Sequence, residues 1–116
     1  MSVVMYGIPN CDTIKKAKKW LESNDIEFTF HDFRKQGVDQ EMVSGFCEQL
    51  GWETVLNKRG TTYRQLTQEQ KDEINSDSAI QLLVEYPAMI KRPVLSIDGN
   101  LHIGFKPEQY ANLFSK

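Results

Sequence analysis

A chain of 116 residues with a formal net charge of −2 and 40% apolar content is the size of one compact domain that buries roughly two thirds of the surface its unfolded form exposes. The mild acidity argues against nucleic-acid binding through bulk charge, and no apolar run reaches the length of a bilayer span. Two cysteines are too few for a disulfide framework and no charged-then-apolar leader opens the chain, which points to a reducing cytoplasmic setting.

The apolar run Val3-Val4-Met5-Tyr6 predicts a first strand. Turn formers come next and cap formers after them in Gly7-Ile8-Pro9-Asn10-Cys11-Asp12-Thr13, so Cys11 is expected within a residue or two of a helix N-cap. Ile14, Ala17, Trp20 and Leu21 recur at helical spacing and carry that helix about three to four turns, to near Asn24. Period-two alternation in Ile26-Glu27-Phe28-Thr29-Phe30 predicts a second strand, completing a βαβ unit with parallel strands and a right-handed crossover.

Met42, Val43, Phe46, Cys47 and Leu50 line one face of a further helix that Gly51 stops, which places Cys47 in an apolar stripe. The polar stretch from Asn57 to Arg64 reads as a loop with hydroxyl and cationic groups available to a ligand. Thr67 with Gln70 and Ser78 with Gln81 have capping-box spacing, and each pair is expected to open a helix, the second running to Pro87. Val94–Ile97 and Leu101–Ile103 flank Asp98-Gly99-Asn100 as a β-hairpin, because Asp-Gly supplies the positive φ angles of a tight turn. Pro107 and Glu108 begin a terminal helix with Tyr110, Leu113 and Phe114 facing inward. The expected architecture is an α/β fold with a four-stranded mixed sheet flanked by helices. A helical insertion lies between the second and third strands, and one domain spans residues 1–116 with a shared core.

Cys11 is the leading candidate for chemistry. Unpaired N–H groups at a helix start favour a thiolate, the nucleophilic form of cysteine, whereas the competing reading is a small packed cysteine beside a turn. Cys47 fits that packed description better and is read as core. Lys15 lies one turn beyond Cys11, while Lys15, Lys18 and Lys19 together also describe an ordinary solvated helix face. Several chemistries are excluded. A low-molecular-weight tyrosine phosphatase loop needs an arginine where Ala17 stands, and Ile14 breaks a Cys-x-x-Cys pair. His31 and His102 show no zinc-ligand spacing with the cysteines, and no glycine-rich phosphate loop occurs.

Three segments carry a family resemblance: Tyr6-Gly7-Ile8-Pro9-Asn10-Cys11-Asp12-Thr13-Ile14-Lys15-Lys16-Ala17, Leu56-Asn57-Lys58-Arg59-Gly60-Thr61-Thr62-Tyr63-Arg64, and Ile90-Lys91-Arg92-Pro93-Val94. With the element order, they resemble the arsenate reductase (ArsC) family in its Spx and YffB branch, over essentially the whole chain. The resemblance implies a thioredoxin-like fold and a glutathione-dependent thiol reductase. Glutathione would serve as co-substrate with no bound cofactor, acting on a small oxidised thiol or oxyanion.

The resemblance also implies a cis Pro93 facing Cys11. An Arg92 guanidinium held beside it would favour the thiolate and bind an oxyanion or a glutathione carboxylate in bidentate fashion; an exposed, merely solubilising arginine is the other reading. Arsenate-reducing relatives carry arginines at the positions of Asn57 and Lys106, with Arg92 matching a third. Two missing guanidinium forks weaken the case for arsenate, although Arg59 can substitute if it is more than a surface charge. The expected site is therefore Cys11 and Arg92 for catalysis, with Lys15, Asn57, Arg59, Pro93 and Lys106 for substrate. Arsenate reductase is one alternative. Another is an Spx-like regulator that contacts RNA polymerase without turnover, though such regulators commonly keep the Cys-x-x-Cys pair that Ile14 breaks.

Overall fold

Burial alternates along β1 (Val3–Gly7), with Val3, Met5 and Gly7 buried and Val4 and Tyr6 partly so, as expected of a strand with one face on a core. In the computed structural model, which describes all 116 residues, β1 is an inner strand of a four-stranded sheet ordered β2-β1-β3-β4. It pairs in parallel with β2 (Thr29–Asp32) and antiparallel with β3 (Val94–Ile97), which pairs antiparallel with β4 (Asn100–Ile103). The mixed sheet is the expected one. Asp98 and Gly99 take φ of 53° and 89°, the left-handed values that a two-residue hairpin turn requires.

The chain condenses into two compact units, one formed by Met1–Gln36 with Arg92–Lys116 and the other by Gly37–Lys91. In the first unit α1 (Asp12–Ser23) and α7 (Pro107–Leu113) cover the sheet face carrying Val3, Met5 and Leu95. Ile14, Ala17 and Leu21 come from α1, and Tyr110 is joined by Phe114 just beyond α7. Tyr110 is wholly buried, with the rings of Phe105 and Trp20 set edge-on to it at 4.7 and 5.6 Å. Gly7 makes the close approach of β1 to α1 possible, since a Cβ there would overlap Cδ1 of the buried Ile14.

The second unit is helical. Its elements are α2 (Gln40–Leu50), α3 (Trp52–Val55), α4 (Thr61–Arg64), α5 (Gln68–Asp72), α6 (Ser76–Glu85) and a 3-10 turn over Pro87–Met89. Asp39 caps α2 by accepting from the Met42 N–H at 2.8 Å, and Gly51 ends it with φ of 84°. The Thr67–Gln70 capping box forms as expected.

Three expectations need correction. The second strand lies over Thr29–Asp32 instead of Ile26–Phe30, because Asp25 turns with φ of 57° and the Ile26 N–H bonds back to Leu21 O at 3.0 Å. Ile26 and Phe28 are thereby kept for packing on the α1 core instead of the ladder. Helix α6 is capped by Asn75, three residues before the expected cap Ser78, because Ser78 Oγ accepts from the Asn75 N–H while the Asn75 side chain accepts from Ser78 N–H. The Asn57-to-Arg64 stretch is not all loop, since Thr61–Arg64 closes a helical turn. No helix is long and apolar enough to cross a membrane.

Candidate active site

Strand β1 ends at Gly7, and four residues later the chain enters α1 with Cys11 as the N-cap residue, in extended conformation at φ −132° and ψ 125°. The carbonyl of Cys11 already accepts the first helical bond, from Lys15 N–H at 3.0 Å. Its side chain does not complete a cap hydrogen bond of the ordinary kind. Its Sγ instead faces the amides of Ile14 and Thr13, which the helix itself leaves unused.

Partial burial alone would push the Cys11 thiol up, yet its pKa lies below the ordinary value. The amide of Ile14, the Arg92 guanidinium and the amide of Thr13 all donate toward the sulfur, and the positive charge of Arg92 adds to them. Arg92 is partly buried at the entrance to β3, and its peptide bond to Pro93 is cis. Pro93 is fully buried, and its carbonyl accepts from Gly104 N–H at 2.9 Å. The structure thus brings Arg92 to Cys11 from the far end of the sequence, within the first unit.

Of the other expected residues, Lys15 is exposed in the first turn of α1, and Lys106 is the exposed N-cap of α7. Asn57 and Arg59 belong to the second unit. There Asn57 Oδ1 accepts from Arg59 N–H at 3.0 Å and the Asn57 amide donates to Met89 O at 2.8 Å. Both line a cleft of about 280 Å³ with Leu56, Lys58 and Lys91. Lys91 was not singled out in the sequence, although its adjacency to Arg92 and Pro93 is a signal. It enters the cleft because its N–H bonds Val55 O at 2.8 Å, beside the Leu56–Ile90 bridge.

Cys47 is half-buried on α2, and burial raises its pKa with no donor to offset it. His31 and His102 lie on β2 and β4, and no group of three or more His, Cys, Asp and Glu side chains is placed to hold a metal ion.

The family model described as "ArsC family" matches residues 6–113. An uncharacterized protein of Haemophilus influenzae is 41% identical over 113 residues, covering 97% of this chain and 99% of that one. The regulatory protein MgsR of Bacillus subtilis is 30% identical over 118 residues, covering 98% of this chain and 91% of its own. Among solved structures, a YffB protein superposes with a TM-score of 0.92 at 45% identity, covering 96% of this chain and 97% of that one. A thioredoxin-like protein superposes at TM-score 0.50 and 16% identity, a likeness of fold alone.

Proposed function

The chain belongs to the ArsC family, and from that premise we propose that it is a glutathione-dependent thiol reductase with Cys11 as nucleophile. One observation carries the reading. Cys11 is accessible and more acidic than an ordinary thiol because Arg92 and two main-chain amides donate to its sulfur.

The reaction that suits this geometry begins with the Cys11 thiolate attacking the glutathionyl sulfur of a mixed disulfide. That S–S bond breaks, and the departing thiolate takes a proton from water, giving the reduced substrate. Cys11 is left bonded to glutathione, with no second cysteine in its loop to displace it. A free glutathione thiolate attacks the bound glutathionyl sulfur, releasing Cys11 as thiolate and glutathione disulfide as product. The substrate disulfide is reduced and two glutathiones end joined and oxidised. Arg92 holds the thiolate as attacking and leaving group, and Lys15 and Lys106 offer charge to glutathione carboxylates.

Peptide mapping after treatment with oxidised glutathione is expected to find the adduct on Cys11 and not on Cys47. Reduction of a glutathionylated substrate, coupled to glutathione reductase, should persist in Cys47→Ser and fall to background in Cys11→Ser. Adducts mainly on Cys47, or equal turnover in the two variants, would sink the proposal.

A second reading is favoured by the likeness to MgsR and to proteins named global transcriptional regulator Spx, such as that of Lactiplantibacillus plantarum at 23% identity. A regulator would show an acidic Cys11 with no turnover, so the same coupled assay separates the two. Run with arsenate as oxidant, it also tests the oxyanion variant of the enzyme reading.

A further inference from the structure

Away from the thiol, α1 and the start of α7 border a shallow cleft of about 320 Å³, lined by Lys16, Lys19, Trp20, Ser23, Phe105 and Pro107. Its apolar lining comes from the Trp20, Phe105 and Pro107 rings. Trp20 and Phe105 are only partly buried although both rest on Tyr110, so their outer faces remain available.

The charge around this cleft opposes that of the whole chain. The protein carries −2 overall, yet Lys15, Lys16, Lys18 and Lys19 crowd one stretch of α1. Lys18 is engaged, its Nζ standing 3.6 Å from the centre of the Phe30 ring. Lys16 and Lys19 are exposed, three residues apart on the rim of the cleft, and neither makes an ion pair or side-chain hydrogen bond within the chain.

We infer that this cleft is a docking site for an acidic peptide segment of a partner protein. One aromatic or leucine side chain would enter between Trp20 and Phe105, and flanking carboxylates would meet Lys16 and Lys19. The volume lies at the low end for a ligand pocket and suits one side-chain anchor better than a cofactor. An apolar anchor in an aromatic pocket, ringed by complementary charge, is the arrangement that concentrates binding energy at protein interfaces. The inference does not depend on the chemistry proposed for Cys11.

The probe is the acetylated, amidated peptide Asp-Glu-Phe-Glu-Asp, titrated into Trp52→Phe protein so that Trp20 is the sole tryptophan. A saturable change in Trp20 fluorescence is expected, with amide shifts confined to α1 and the start of α7. Affinity should fall at least tenfold when the peptide Phe is replaced by Ala, in Lys16→Glu/Lys19→Glu protein, and in 1 M salt. Lys19→Gln, a milder change, should weaken binding in the same direction even if the double variant melts early. The same titration in Cys11→Ser protein should be unchanged. Absence of saturation at millimolar peptide would overturn the inference, as would equal binding of a Lys-Lys-Phe-Lys-Lys peptide. Binding to anionic vesicles in place of the peptide would overturn it in favour of a lipid surface.

Discussion

The two cysteines stand in different units and share one influence. Partial burial pushes both thiols upward, and it is the largest single influence at each, although donors to the sulfur outweigh it at Cys11. They part ways because of the chain around them. Cys11 caps a helix whose first amides are free and lies against a guanidinium, whereas Cys47 sits inside α2, where the amides are already spent on the helix. Thiol acidity here follows the supply of hydrogen-bond donors, and exposure alone does not separate the two sites, since both are intermediate.

The sharpest way to break this contrast after removing the thiols themselves is to remove the donor. Arg92→Ala should move the pH profile of Cys11 alkylation upward, toward that of Cys47. A hydrogen bond to a charged group is worth about 1.5–3 kcal/mol, so glutathione-coupled turnover at neutral pH should fall about tenfold or more. Arg92→Lys should recover part of the loss by charge alone. If Arg92→Ala left the profile in place, the amides of Thr13 and Ile14 would be sufficient.

Two glycines sharpen the comparison at the level of packing. Gly7→Ala drives a methyl group into Ile14, whose amide faces Cys11, and should cost about 1–3 kcal/mol while slowing Cys11 alkylation. Gly45→Ala in α2 meets nothing within 4 Å and should stabilise by about 0.5–1 kcal/mol with no effect on either thiol. Thermal melts of both variants, followed by alkylation rates, check the pair.

The smallest effect is on stability against pH, and its sign differs between the cysteines. The folded-state pKa of Cys11 is lowered. Its contribution is therefore present above the unfolded value of about 8.5 and lost as pH falls through the folded value. The folded-state pKa of Cys47 is raised, so its contribution is present below about 8.5 and lost as pH rises through the folded value. Under reducing conditions, the melting temperature of the native protein relative to Cys11→Ser should rise from pH 7 to pH 9. Relative to Cys47→Ser it should fall between pH 8 and pH 10. Parallel trends would mean that the two environments are alike.

Much of the first unit was legible because its signals are local and strong. Gly7 to Thr13 announces the strand-to-helix junction, and Asp98-Gly99 the hairpin. The second unit was harder. Trp52–Val55 and Thr61–Arg64 are single turns, too short for periodicity to register. The start of α6 was misplaced because Ser78 serves as the third residue of a capping box, a role its side chain fills as readily as the cap itself. At the candidate site, Cys11 was read from its neighbours alone. Its partner Arg92 came only through family resemblance, since no local pattern ties two residues so far apart in sequence.

That separation bears on how the protein is made. The first unit is discontinuous, interrupted by Gly37–Lys91, and Cys11 leaves the ribosome long before Arg92. During synthesis the thiol has no guanidinium beside it and β1 lacks its β3 neighbour, so the surroundings that lower the Cys11 pKa are complete only after Arg92 and β3 have been made. Nascent chains halted before Arg92 should therefore alkylate slowly at Cys11, and released full-length chains quickly. Such timing leaves the Cys11 thiol at ordinary acidity through the interval in which an exposed, unfinished chain is most open to misplaced cross-links.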